Sequence, residues 1–413
     1  MKVAVFHPGT QHSWQTAEAL QDLGRLQFYA TSIFYRPDAW PYRAERLLPA
    51  PLARRLRAEF RRFEHPPLDP ALVRTLGWAE WAERVAARLG AGALSGWFDR
   101  VGNRHFHRLL AGEIASDAPF ALWGYNSSAR EAFVLGKAHH RRCILDRTNG
   151  DFRSFNRLME REAAAYPRYF LPEQRGMPDW LIARDEEEYR LADHILVGSP
   201  FAAATIRRES PGQASKVEVL EYGYDSHLFG ALPPPQPVSR GEPVRFLFLG
   251  QLVPRKGIHL VLEAFRGFAP AEARLTLVGQ MGIPAAAFAN HADRVDYRPT
   301  VARVDVPAIM AAHHVFLLPT LFEGAGIALY EAQAAGMAII QGRNAAEVAT
   351  PATGIMLDPP TTDSLAAAMR ALVDDREQLN AMRGAAHVAA PRWSGEGYRD
   401  RIAAFLARAG LNA

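Results

Sequence analysis

Short, wholly apolar runs recur along the chain, each closed by a Gly, Pro or polar turn and followed by a stretch of helical period. KVAVFHPG opens the series and leads into a helical pattern from Trp14 to Leu23; LQFYAT, FALWGY, CILDRT, DHILVGS and VEVLEYG follow. Unbroken apolar runs bounded by turns mark strands buried on both faces, and their alternation with helices predicts a parallel sheet with crossover connections. The prolines of ALPPPQPVSRGEP, Ala231 to Pro243, can sustain neither a helix nor a central strand, so this segment reads as an extended linker. After it the pattern restarts: VRFLFLG, a helix from Gly257, RLTLVG, VDYRP, VFLLP, a helix from about Ile327, AIIQG and GIMLD. The expected architecture is α/β, with two Rossmann-like domains facing a central cleft. Residues 1–230 form the first domain, 231–243 the linker and 244–390 the second, and a helix in 391–413 packs back on the first. Ligands of such sheets sit at the carboxyl ends of the strands.

Composition narrows the class. At 413 residues with 48% apolar and 22% charged residues, the chain can build two cores. A net charge of +4 is compatible with anionic substrates or headgroups and too weak to argue for nucleic acid. One cysteine, Cys143, excludes an intrachain disulfide and a cysteine metal cage, so a cytoplasmic home is expected. MKVAVFHPGT runs straight into a strand without a leader pattern, and no apolar run has the length of a membrane span.

An insertion rich in Arg and Trp separates the second and third strands. Within it, RLLPAPLARRLRAEFRRFEHPP sets Leu48, Leu52, Leu56, Phe60 and Phe63 at helical spacing, with Arg54, Arg55, Arg57, Arg61 and Arg62 on the other face. Such a helix lies on an anionic membrane, with Trp78, Trp81, Trp97 and Phe98 as interface anchors, or packs its stripe on the sheet with its arginines solvated. The first reading places the protein peripherally on the inner face of the plasma membrane.

Two segments carry candidate chemistry. In FEGAGIALYEAQAAG, Glu323 follows a strand, Gly324-Ala325-Gly326 leads into a helix, and Glu331 lies about one turn inside it. Glycines admit close backbone approach, and a helix start offers free N–H groups and a positive dipole end, a setting that suits a diphosphate. Glu331 is then a natural acceptor for the two vicinal ribose hydroxyls, and Glu323 for sugar hydroxyls. The plainer alternative is an ordinary strand–loop–helix. In FLFLGQLVPRKGIHLVLEAF a strand ends at Gly250 and a turn carries Arg255-Lys256-Gly257. Two cations there can neutralise a leaving diphosphate; a solvated basic turn is the commoner meaning of such a pair.

Taken in order, Gly250…Arg255-Lys256-Gly257, LVGQMG, Glu323…Glu331 with AQAAG, and GRNAAEVATPATGIMLDPPTTDSLAAAM resemble the retaining glycosyltransferases of family 4, which adopt the GT-B fold. HPGTQHSWQTAEAL and DHILVGSPFAAATI fit the first half of that family more loosely. The resemblance implies that Arg255 and Lys256 hold the donor diphosphate and Glu331 the ribose. It gives Glu323 and the amides of Gly324, Ala325, Gly326 and Ile327 the sugar hydroxyls and phosphate. Gly250, Gly279 and the backbone of Tyr297 and Arg298 would line the donor and its base, and Gly9 and Thr10 would approach the phosphates. It implies transfer of a sugar from a UDP- or GDP-linked donor, with retained configuration, to a glycan or lipid-linked acceptor in cell-surface polysaccharide or lipopolysaccharide synthesis. A soluble-disaccharide synthase and a silent module that binds sugar nucleotide or glycan are the alternatives. A Rossmann dehydrogenase is disfavoured, since HPGTQH offers no Gly-x-Gly-x-x-Gly.

No Asp-x-Asp occurs, and neither a metal nor another cofactor is expected. His313-His314 precede a strand without a third ligand at metal spacing, so a metal reading is disfavoured. In CILDRTNGDFRSF, family members often carry a histidine in the loop; none lies between Cys143 and Tyr189, and Asp151 takes that place by register. It is a candidate catalytic carboxylate, or simply the cap of a helix beginning at Phe152.

Overall fold

A computed structural model describes residues 1–9, 12–40, 42–47, 49–51, 53–54, 57, 63–65, 67–75 and 109–411. It contains two parallel sheets. The first comprises β1 (Lys2–Phe6), β2 (Leu26–Ala30), β3 (Val73–Arg74), β4 (Phe120–Tyr125), β5 (Cys143–Arg147), β6 (His194–Val197) and β7 (Val217–Val219), in the order β3-β2-β1-β4-β5-β6-β7. The second comprises β8 (Val244–Leu249), β9 (Ala273–Val278), β10 (Asp296–Arg298), β11 (Val315–Leu318), β12 (Ala338–Gly342) and β13 (Gly354–Leu357), in the order β10-β9-β8-β11-β12-β13. Every run named in the sequence forms a strand. The two-residue β3 has no sequence signal, being too short to show a period.

Register explains the apolar runs. β4, β5, β11 and β12 are buried along their whole lengths, whereas the edge strands β10 and β7 are partly exposed. Both sheets reverse strand order beside their first strand, between β1 and β4 and between β8 and β11. That reversal opens a crevice at the strand ends, where ligands of doubly wound sheets bind.

The chain divides into two compact units, Met1–Asp146 with Ala183–Leu196 and Arg399–Ala413, and Arg147–Ile182 with Val197–Tyr398. This division departs from the expected boundaries at 230 and 244. The segment after β5 goes with the second unit: the Phe155 ring meets Phe322 edge-on at 5.2 Å, and the Tyr169 hydroxyl lies 3.0 Å from His291 Nε2. The proline-rich segment is docked rather than free. Val238 exchanges backbone hydrogen bonds with the Asn380 amide at 2.8 and 3.2 Å, and Arg383 Nη1 donates to the Gln236 carbonyl at 2.5 Å.

In the first unit, the Phe405 ring meets Trp123 at 5.7 Å and the Met1 amino group donates to the Leu411 carbonyl at 3.1 Å. Phe63, counted above in the apolar stripe of the insertion, is buried with Ile33, Tyr35 and Tyr42. Arg54 and Arg57 are exposed. Leu48, Leu52, Arg55, Leu56, Phe60, Arg61, Arg62 and the four anchor aromatics lie outside the described residues, and so does the membrane reading built on them.

Candidate active site

The site grows from the carboxyl ends of β8 and β11, on either side of the crevice in the second sheet. Past β8 the backbone turns through Gly250 at φ 138°, and past β9 through Gly279 at φ 140°, values that side chains rarely tolerate. A Cβ on Gly279 would stand 1.9 Å from the Gly250 carbonyl, so the two strand ends approach this closely only because residue 279 is glycine. From Gly250 the chain enters a short turn, Pro254–Lys256, which ends at Gly257 with φ 78°. The helix Ile258–Phe265 begins there.

This turn is tied to the loop after β11. The Arg255 carbonyl accepts from the amides of Leu321 (2.9 Å) and Phe322 (3.2 Å) and from Thr320 Oγ1 (3.1 Å). The Glu323 amide donates to the Asn344 carbonyl at 3.1 Å, and Asn344 Nδ2 to the Leu321 carbonyl at 2.8 Å. A loop that is buried from Pro319 to Ala325 thus has many of its backbone groups satisfied within itself and its neighbours.

At its tip one oxygen of Glu323, Oε2, lies 3.1 Å from Arg255 Nη1 and 3.1 Å from Lys256 Nζ. Burial pushes this carboxyl up, but the Lys256 and Arg255 charges and hydrogen bonds outweigh it and hold the group down at about 2. Beyond it, Gly326 at φ 80° opens the helix Ile327–Ala334, which has no side-chain cap. Among the described residues, the amides of Gly324, Ala325, Gly326 and Ile327 make no hydrogen bond. Four open donors at a helix start, beside two cations, form an anion-binding surface.

The loop after β5 closes on the same place. A Cβ on Gly324 would stand 1.7 Å from the Thr148 carbonyl, and one on Gly150 would stand 2.8 Å from the Phe322 ring. The structure therefore brings together Gly250, Arg255, Lys256, Glu323, Gly324, Ala325, Gly326 and Ile327 with Thr148, Asn149 and Gly150. Gly279 borders them. Its amide donates to the Arg298 carbonyl at 3.0 Å, and its carbonyl accepts from the Tyr297 hydroxyl at 3.2 Å. The Arg298 carbonyl is thereby occupied, and its side chain pairs with Asp296 at 2.6 Å. Glu331 is buried and ion-paired with Arg303 at 2.6 Å.

Asp151 occupies a different setting from the catalytic one considered above. It caps the helix Phe152–Ala165, accepting from the Arg153 amide at 2.9 Å. Both its oxygens also receive the Arg153 guanidinium, at 2.9 and 2.8 Å, and Arg153 is anchored in turn to Ser210 Oγ at 2.7 Å. In the first unit, the Gly9 amide is taken by His7 Nδ1 at 2.9 Å rather than left open to a phosphate, and Thr10 is outside the described residues. His313 bonds the Ile309 carbonyl and Thr276, and His314 Nδ1 accepts from the Arg245 amide, so each ring has its own structural partner. Among the described residues no three His, Cys, Asp or Glu side chains are grouped to hold a metal, and no helix is long and apolar enough to cross a membrane.

Sequence reasoning missed Asn344, whose place just after β12 in GRNAA was its only signal, and Arg303, which nothing in VARVDV marks out.

Comparison with known proteins fits this geometry. Residues 234–388, which carry Arg255, Lys256, Glu323 and Glu331, match the family model of glycosyl transferases group 1. This segment is what the chain shares with the group 1 glycosyl transferases. It is 29% identical over 222 residues to a GDP-mannose-dependent alpha-(1-6)-phosphatidylinositol monomannoside mannosyltransferase of Mycobacterium tuberculosis (strain CDC 1551 / Oshkosh). That match takes in 47% of this chain and 57% of the relative, so it spans little more than half of the relative's length. Two solved structures share the fold along the whole chain. Sucrose-phosphate synthase from Thermosynechococcus elongatus has a TM-score of 0.64 at 14% identity, with 100% of each chain covered. Anabaena HepE in complex with UDP has a TM-score of 0.59 at 14% identity, covering 99% of this chain and 100% of that one. The fold is GT-B.

Proposed function

We propose that the protein is a retaining glycosyltransferase that moves a sugar from a nucleotide-diphosphate donor to a hydroxyl of a glycan or lipid-linked acceptor. The observation that carries this reading is the Arg255–Glu323–Lys256 cluster beside four open amides at a helix start. A diphosphate leaving group develops negative charge as the bond to the anomeric carbon breaks. Lys256 and Arg255 meet that charge, and the open amides of Gly324 to Ile327 add fixed dipoles beside them. Glu323 stays ionised beside them and accepts hydrogen bonds from the donor sugar's hydroxyls, which fixes the ring for attack. Glu331 accepts the ribose hydroxyls. The departing phosphate takes the acceptor proton, so the protein need not supply a general base.

The name of the mycobacterial relative specifies GDP-mannose and a phosphatidylinositol mannoside, which supports a lipid-linked acceptor and a GDP-linked donor as the first to try. Cell-surface glycan synthesis at the inner face of the plasma membrane is the setting such an acceptor implies. The test incubates the full chain with GDP- and UDP-sugars and a lipid extract, and follows nucleoside diphosphate release together with a new glycosidic product. Transfer with the anomeric configuration retained, undiminished by a chelator, is the expected result. Binding of donors with no transfer to lipid or soluble acceptors would leave only a sugar-nucleotide-binding module, and a soluble product would replace the lipid acceptor.

A further inference from the structure

Glu331 sits inside the helix Ile327–Ala334 with only 2% of its surface exposed. Its sole partner among the described residues comes from outside the family motif. Arg303 opens the short turn Arg303–Asp305, between β10 and the helix Val306–Ala311, and is half-exposed. Its Nη2 lies 2.6 Å from Glu331 Oε1. That oxygen has no solvent access and no aligned hydrogen bond, so the guanidinium meets it as a charge and covers it. Oε2 accepts no hydrogen bond among the described residues.

We propose that Arg303 is the positioning residue of the nucleotide ribose site. The proposal rests on the reading of Glu331 as the ribose acceptor. A carboxylate as buried as Glu331 needs a charged partner, and without one its oxygens would turn to water instead of being held toward a ligand. Arg303 pairs with the group and, by covering Oε1, leaves the lone pairs of Oε2 as the acceptor sites for the 2′- and 3′-hydroxyls. Discrimination for ribose is thus set by a residue that does not touch the ribose. A lysine keeps the charge without the fork and should serve in part.

The test measures dissociation constants of the full chain by calorimetry for GDP, UDP and their 2′-deoxy analogues, in the parent, Arg303→Met, Arg303→Lys and Glu331→Gln. For the better-bound nucleotide, the parent should prefer ribose by about tenfold, the worth of one hydrogen bond to a charged group. Arg303→Met should shrink that preference below about threefold, with a lowered melting temperature in a variant that still folds, and Arg303→Lys should restore most of both. An unchanged preference in Arg303→Met while Glu331→Gln loses it overturns the role of Arg303 and spares that of Glu331. Tighter binding of both nucleotides by Arg303→Met also overturns the proposal, since Arg303 would then be obstructing the site. A preference kept by Glu331→Gln, or a parent that binds neither nucleotide, overturns the ribose reading and the proposal with it.

Discussion

The two sheets are wound alike, and each sends a helix away from the strand beside its order reversal, yet they treat that helix start in opposite ways. After β4, the buried Glu188 carboxylate accepts from the amides of Ser127 (2.8 Å), Ala129 (3.1 Å) and Arg130 (3.2 Å), at the beginning of the helix Arg130–Ala138. The first sheet therefore carries its own anion. After β11, the amides of Gly324 to Ile327 are open and two cations stand beside them. The turn after β1 is closed as well, with the His7 ring on the Gly9 amide, whereas the turn after β8 presents Lys256. A shared topology thus provides two equivalent anion sites, and side chains decide which one is left for a ligand.

The comparison is broken most severely at Lys256. Lys256→Ala should lower turnover on the order of 10²–10³-fold, the usual cost of removing one group that stabilises a transition-state charge. The melting temperature should stay near that of the parent. Turnover within a few-fold of the parent would remove Lys256 from the charge clamp. Gly324→Ala comes next. Its Cβ would collide with the Thr148 carbonyl, so the loop must shift at a cost of about 1–3 kcal/mol. A lower melting temperature and a raised KM for donor are expected; a fully active, equally stable variant would show that the loop after β5 need not touch this turn.

Glu188→Gln sharpens the contrast from the other side. It removes the charge from three amide bonds and should destabilise by about 2 kcal/mol, with turnover per folded molecule unchanged. Weakened nucleotide binding without loss of stability would mean that the first helix start also serves the donor. Asp151→Asn should cost less, about 1 kcal/mol, because asparagine still caps the helix while the Arg153 pair is lost. Its turnover should stay within a few-fold; a hundredfold loss would return Asp151 to the catalytic groups.

The smallest effect is one of pH. His7 is lowered below 6.5 by burial, so its contribution to stability is lost as pH falls below 6.5. Glu323 is held at about 2 against an ordinary 4.5, so its contribution is complete above about 4.5 and lost only as pH falls toward 2. Between pH 6.5 and 5 the first site should weaken and the second should not. Side-chain NMR that showed Glu323 titrating in that window would contradict the assignment.

How much of this was legible follows from what each residue answers to. Buried parallel strands are read from their own letters, because both faces demand apolar side chains; VFLLP and AIIQG needed no partner to be recognised. Arg255, Lys256 and Glu323 stood out because charges flanking glycines at a strand end are locally unusual. The role of Glu188 is invisible in DEEEYR, where it looks like one of four acids in a row, and only the return of that helix past β4 buries it. Asp151 was ambiguous for the same reason: the bond that commits its carboxylate runs to Arg153, which is itself held by the distant Ser210. Local sequence names the candidates for a charge, and tertiary return decides which of them are already spent.

The bracket around Glu323 bears on what happens after chemistry. Two cations against one carboxylate leave a surplus of a single positive charge, while the nucleoside diphosphate left behind carries more negative charge than that. On the proposed function, Arg255 and Lys256 have Glu323 to return to as the product departs, so desorption would not leave two half-buried cations without a counter-ion. On that reading the carboxylate would work as a resident counter-ion that competes with the spent nucleotide, and turnover would gain an exit that a purely cationic cradle lacks.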